Sequence, residues 1–85
     1  MARYTTQTAS NVQQDSLCVE LLNENSDIVA DVCRIDANNT LKINTFNNDL
    51  DVFIVEQLIQ IARQRLGPFE DGTPIAEAVV SGSIV

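Results

Sequence analysis

The sequence predicts an α+β fold: a three-stranded antiparallel β-meander followed by one amphipathic helix packed on one sheet face, with a short C-terminal helix or strand. Three observations predict it. Val-, Ile- and Leu-rich runs at 17–22 and 28–35 and an alternating apolar–polar run at 40–46 are separated by short Asn- and Asp-rich turn segments. From residue 50 the apolar spacing changes from two to three or four, the period of a helix. That pattern ends at Gly67-Pro68, where proline cannot continue a helix.

Residues 1–15 are mostly Thr, Gln, Ser and Asn, a polar arm that either stays mobile or adds an edge strand through Tyr4, Thr6 and Thr8. Residues 16–67 make the βββα core, and 68–85 a tail that docks on the core or on a partner chain. Within the core, Asn23-Glu24-Asn25-Ser26-Asp27 and Asp36-Ala37-Asn38-Asn39 supply the two turns. Four-residue loops at both would set Val19 opposite Val32, Leu21 opposite Ala30, Val32 opposite Ile43 and Arg34 opposite Leu41. One face then becomes coherently apolar, with Val19, Leu21, Ile28, Ala30, Val32, Leu41 and Ile43 together. The other is mixed, bearing Cys18, Glu20, Leu22, Val29, Asp31, Cys33, Lys42, Asn44 and Phe46. On it Glu20 opposes Asp31, with Lys42 close enough to relieve their repulsion.

The helix is expected at about residues 50–66. Asn48 or Asp49 would cap its first amides, Arg63 and Arg65 suit its negative end, and Gly67 would supply a left-handed cap. Val52, Val55, Leu58, Ile59, Ala62 and Leu66 form the stripe that should meet the sheet. Leu50, Ile54 and Ile61 widen the apolar arc beyond what one sheet requires. In the tail, Thr73 would cap a short helix with Pro74 at its first position, although Val79-Val80 and Ile84-Val85 equally suit a strand.

The missing chemistry narrows function more than anything present. The chain has no histidine, which removes the commonest general base and transition-metal ligand together with every Ser-His or Cys-His nucleophile. Neither glycine-rich phosphate-binding pattern occurs. Asn47-Asn48-Asp49-Leu50-Asp51 opens like a calcium loop, but Val52 stands where that loop needs Gly and Leu58 where it needs Glu. Cys18 and Cys33 should face one another; in a reducing compartment they read as two small, partly buried free thiols rather than a disulfide, and without further cysteines they make no zinc set. The expectation is no enzyme, no cofactor and no metal.

With 85 residues the chain can build one small core, a size at which self-association often completes burial. The formal charge of −7 argues against direct nucleic-acid binding and against anionic membrane surfaces. No apolar run is long enough to span a bilayer and the N-terminus lacks a signal-like apolar stretch, so an intracellular, cytoplasmic protein is expected. Two functional expectations follow. In the first, the chain is a non-enzymatic interaction or structural module that homodimerises through the helix flank Leu50, Ile54 and Ile61 or through the mixed sheet face carrying Phe46, Glu20 and Asp31. In the second, it is an acidic inhibitor or immunity-type protein that occupies a basic nucleic-acid enzyme, on the strength of the carboxylates crowding residues 20–36.

Overall fold

The computed structural model describes residues 3–11 and 16–75. Strands β1 (Thr5–Asn11), β2 (Ser16–Leu22), β3 (Ile28–Ile35) and β4 (Thr40–Asn44) form one antiparallel sheet in the order β1-β2-β3-β4, and helix α1 (Val52–Leu66) follows. The sheet therefore has four strands rather than the expected three. The added strand is the N-terminal arm, whose seven residues pair with β2 from Thr5 opposite Leu22 to Asn11 opposite Ser16. An edge strand is held by its backbone ladder, so a Thr-rich segment suffices without an apolar run.

The pairing of β2, β3 and β4 follows the expected register, with Val19 opposite Val32, Leu21 opposite Ala30, Val32 opposite Ile43 and Arg34 opposite Leu41. Only the start of β3 departs from it. A bulge between Leu21 and Leu22 sets Ile28, not Val29, across from Leu22. The side-chain period is two, so this one-residue shift exchanges the expected places of two apolar residues. Val29 is buried in the core cluster, and Ile28 is 43% exposed. The turn behind the bulge closes on Asn23, whose Oδ1 accepts the backbone N–H groups of Asn25 and Asp27 at 2.9 and 3.0 Å.

The core lies between β2, β3 and α1, built on Val19, Leu21, Ala30, Val32, Leu58, Ala62 and Leu66. The helix is rotated about its axis relative to the expected stripe. Leu58, Ala62 and Leu66 are buried as expected, but Val52 is 69% exposed, while Leu50, Ile54 and Ile61 pack against the core cluster. Just ahead of β1 Tyr4 packs against the same cluster, and within β1 Thr6 Oγ1 accepts a hydrogen bond from Arg65 Nη1 at 3.1 Å.

Both helix ends differ in detail from expectation. The N-cap is Asp51, whose carboxylate accepts from the Phe53 N–H at 2.8 Å. Asn48 is used elsewhere: its side-chain amide donates to the carbonyls of Val29, Thr45 and Phe46, and its backbone N–H closes a turn on Thr45. Phe46 and Asn47 at the centre of that turn both have positive φ, 50° and 64°, as a type I′ turn requires. At the C-terminal end Gly67 has φ −81° and is extended rather than left-handed. Its small size answers to packing, since a Cβ there would stand 3.2 Å from Ile75 Cδ1. Residues 73–75 belong to no helix or strand, and the expected helix or strand at 76–85 lies outside the described residues.

Candidate functional site

Alternation along β2 and β3 places Cys18, Glu20, Asp31 and Cys33 on the sheet face away from α1. Cys18 stands opposite Cys33 and Glu20 opposite Asp31, so the four side chains form a two-by-two tile. The cysteines are joined as a disulfide across a Cα separation of 4.0 Å, where free thiols were expected. So close an approach is typical of directly opposed residues that exchange no ladder hydrogen bonds. Cys18 is buried and Cys33 half-buried, and the Ser16 hydroxyl lies 4.0 Å from Cys18 Sγ.

The carboxylates of the tile are held differently. Glu20 accepts a hydrogen bond from Gln7 Nε2 of β1 at 2.6 Å. Burial, reinforced by the negative charge of Glu20, raises the pKa of Asp31 above the ordinary aspartate value. Lys42 lies across from Cys33 on β4, but among the described residues the one ion pair is Arg34–Asp36, so Lys42 gives the tile no direct salt bridge. A donor from each cysteine and one from Asp31 all lie within 4.8 Å of one another. The lack of histidine and of further cysteines argued against a metal set in the sequence; the signal that would have joined these residues is the i, i+2 spacing of Asp31 and Cys33 beside the apposed Cys18.

A second feature is apolar. Among the described residues the exposed large hydrophobic side chains are Ile28, Ile43, Phe46, Val52 and Phe53. They come from the start of β3, the end of β4, the turn after it and the first turn of α1, segments toward one end of the sheet, with Ile43 on the α1 side and Ile28 turned to the other side by the bulge. Exposed carboxylates Asp27, Asp49, Asp51 and Glu56 belong to the same segments. The cation at this end of the sheet, Arg3, sits at the β1–β2 corner, its backbone N–H donating to Glu24.

The six surface residues anticipated from sequence do not come together. Leu50, Ile54 and Ile61 lie on the helix side of the sheet and are largely absorbed by the core; Glu20 and Asp31 lie on the opposite face; Phe46 alone joins the exposed corner. A cleft of about 410 Å³ beside β4 is lined, among the described residues, by Leu41, Arg63, Phe69, Pro74, Ile75 and three polar neighbours. Those lining residues include one cation but no carboxylate or thiol, so they pair no acid with a base. No described helix is long and apolar enough to cross a membrane. Comparison with known proteins adds no relative: no family model, curated protein or solved structure matches the chain.

Proposed function

We propose that this chain is a non-enzymatic protein-binding module whose apolar corner docks a partner presenting an apolar patch ringed by Lys or Arg. The observation that carries this reading is the exposure of Ile43, Phe46, Val52 and Phe53 on neighbouring segments at one end of the fold, with Val52 and Phe53 more than three-fifths exposed, alongside exposed Asp49, Asp51 and Glu56. Large side chains gathered at one place mark interaction surfaces, and rim charges select the sign of the partner. A second copy is poorly suited to this corner, because a two-fold contact would set like carboxylates against each other. Selection from a displayed-peptide library tests the reading. Recovered peptides should combine apolar residues with Lys or Arg, bind more weakly as salt rises, and lose binding to the Val52→Ser/Phe53→Ser variant. Peptides without basic residues, or with undiminished affinity for that variant, would exclude it.

Self-association has a separate surface in its favour. Among the described residues strand β1 pairs only with β2, and its sequence, Thr-Thr-Gln-Thr-Ala-Ser-Asn, holds none of the charges or prolines that usually blunt an open edge. The opposite edge strand, β4, is shorter and carries Lys42. A dimer formed by β1 edges would persist in the Val52→Ser/Phe53→Ser variant and would dissociate on a Thr8→Pro substitution, which removes an N–H on the side of β1 away from β2. Sedimentation showing a monomer at micromolar concentration removes this second reading.

A further inference from the structure

The tile on the open sheet face has a chemistry independent of the docking corner. Its donors are two sulfurs and a carboxylate, held not by a loop but by the ladder between two central strands. Cys33 and Asp31 are two apart on β3 and share a face, Cys18 is directly opposite Cys33, and Glu20 is directly opposite Asp31.

We propose that the reduced form of this tile is a binding site for a thiophilic divalent cation, Zn²⁺ or Cd²⁺, with Cys18 Sγ, Cys33 Sγ and an Asp31 carboxylate oxygen as ligands and Glu20 supplying the fourth position. The redox step is a two-electron exchange. An external dithiol is oxidised to its disulfide, the Cys18–Cys33 bond is broken, and two thiols form with two protons. The cation then displaces those protons as it binds the thiolates. Zinc sits about 2.3 Å from thiolate sulfur and about 2.0–2.2 Å from carboxylate oxygen, so tetrahedral donors stand roughly 3.5–4 Å apart. The two sulfurs and the Asp31 oxygen already lie within 4.8 Å of one another and need only small side-chain rotations to reach that spacing, while Glu20 must turn from its hydrogen bond with Gln7.

Three features support a cation over a bare dithiol. The thiolates and two carboxylates would crowd like charges on one small patch, which a divalent ion relieves. Backbone pairing of β2 and β3 fixes the relative positions of the donors before the ion arrives. Half-burial of Asp31 and Cys33 leaves an approach from the open face while limiting competition by water. Oxidation would abolish the site by consuming both sulfurs, so occupancy would report the redox state of the surroundings.

The test is titration of the full chain with Cd²⁺ under anaerobic conditions, with and without prior reduction, read by thiolate-to-cadmium ultraviolet absorbance and by metal content after desalting. The expected result is one Cd²⁺ per reduced chain, displaceable by Zn²⁺, and none per oxidised chain. Cys18→Ser should abolish the charge-transfer band, and Asp31→Asn should weaken binding while keeping native far-ultraviolet circular dichroism. Failure of the reduced protein to take up Cd²⁺ overturns the proposal. So does equal uptake by the oxidised protein, which would locate the ion on surface carboxylates, and so does unaltered affinity in Asp31→Asn. A reduced chain that loses its dichroism and does not recover it on adding Cd²⁺ counts equally against it.

Discussion

Arg34 of β3 donates through Nη1 to the carbonyl oxygen of Leu66, the last residue of α1, and to that of Pro68 at 2.7 Å. Its Nε is 3.0 Å from Asp36, and Asp36 in turn accepts the Glu70 N–H at 2.7 Å. A helix ends with carbonyls that have no partner inside it and with a partial negative charge. Here a guanidinium from the sheet satisfies both, which fixes where α1 stops and how it lies across β3.

Arg34→Ala should therefore destabilise the fold by about 1.5–3 kcal/mol, the usual range for hydrogen bonds to a charged group. Urea unfolding followed by circular dichroism measures this. Arg34→Lys should recover only part of the loss, because an ammonium cannot reproduce the fork that spans Leu66, Pro68 and Asp36. Full recovery by lysine would reduce the role of Arg34 to charge alone.

The rotation of α1 predicts a graded series of truncations. Leu58 is 1% exposed and Leu58→Ala should cost about 2–5 kcal/mol. Ile54→Ala and Ile61→Ala should each destabilise the folded chain by a smaller amount, since both side chains are half-buried against the core. Val52→Ser should lie within about 0.5 kcal/mol of the parent. Thermal unfolding of the four variants separates this order from a helix turned the other way, in which Val52 would be costly and Ile54 neutral.

How far the sequence could anticipate this arrangement depends on which interactions are local. Period-two alternation and the two polar turns led to the β2–β3–β4 register, including the Cys18–Cys33 and Glu20–Asp31 oppositions. Strand β1 was legible only as one of two options, because a Thr-rich edge strand carries no apolar signal. The facing side of α1 was not legible: both flanks of its arc are apolar, and the choice rests on how the helix seats on β2 and β3. Nor was the bulge that exchanges Ile28 and Val29, a feature of the ladder rather than of either strand alone. The exposed corner followed from these two departures, which left Val52 and Ile28 outside the core.

Capping chemistry was abundant before α1, and the structure distributes it. Asp51→Ala should cost about 0.5–2 kcal/mol through loss of the bond to the Phe53 N–H. Asp49→Ala, at an exposed position with no capping role, should be close to neutral. Asn48→Ala should also destabilise, by a different route, since it strips donors from the Val29, Thr45 and Phe46 carbonyls. Helix content in the folded state should be unchanged in Asn48→Ala, and amide exchange should quicken at Phe53 only in Asp51→Ala.

Two aspartates titrate to opposite sides of the ordinary value, and the signs of their effects differ accordingly. Asp71 is lowered, first by the Thr73 backbone N–H at 2.9 Å and then by Asn39 at 3.1 Å. Its carboxylate is favoured in the fold, so its contribution is present above the unfolded value of about 3.8 and is lost as pH falls through the lower folded value. Asp31 is raised, so in the metal-free, oxidised protein its ionised form is disfavoured on folding. Its penalty is absent below about 3.8, grows as pH rises toward the folded value, and is complete above it. Asp31→Asn should thus raise the urea midpoint at pH 7 and lose that advantage by pH 3, whereas Asp71→Asn should lower the midpoint at pH 7 and converge on the parent in acid. Carboxyl chemical shifts followed by NMR give the two pKa values directly. Asp31 titrating below about 3.8 would reverse the sign of its effect and contradict the burial of Asp31 beside Glu20, and Asp71 titrating above about 3.8 would reverse its own.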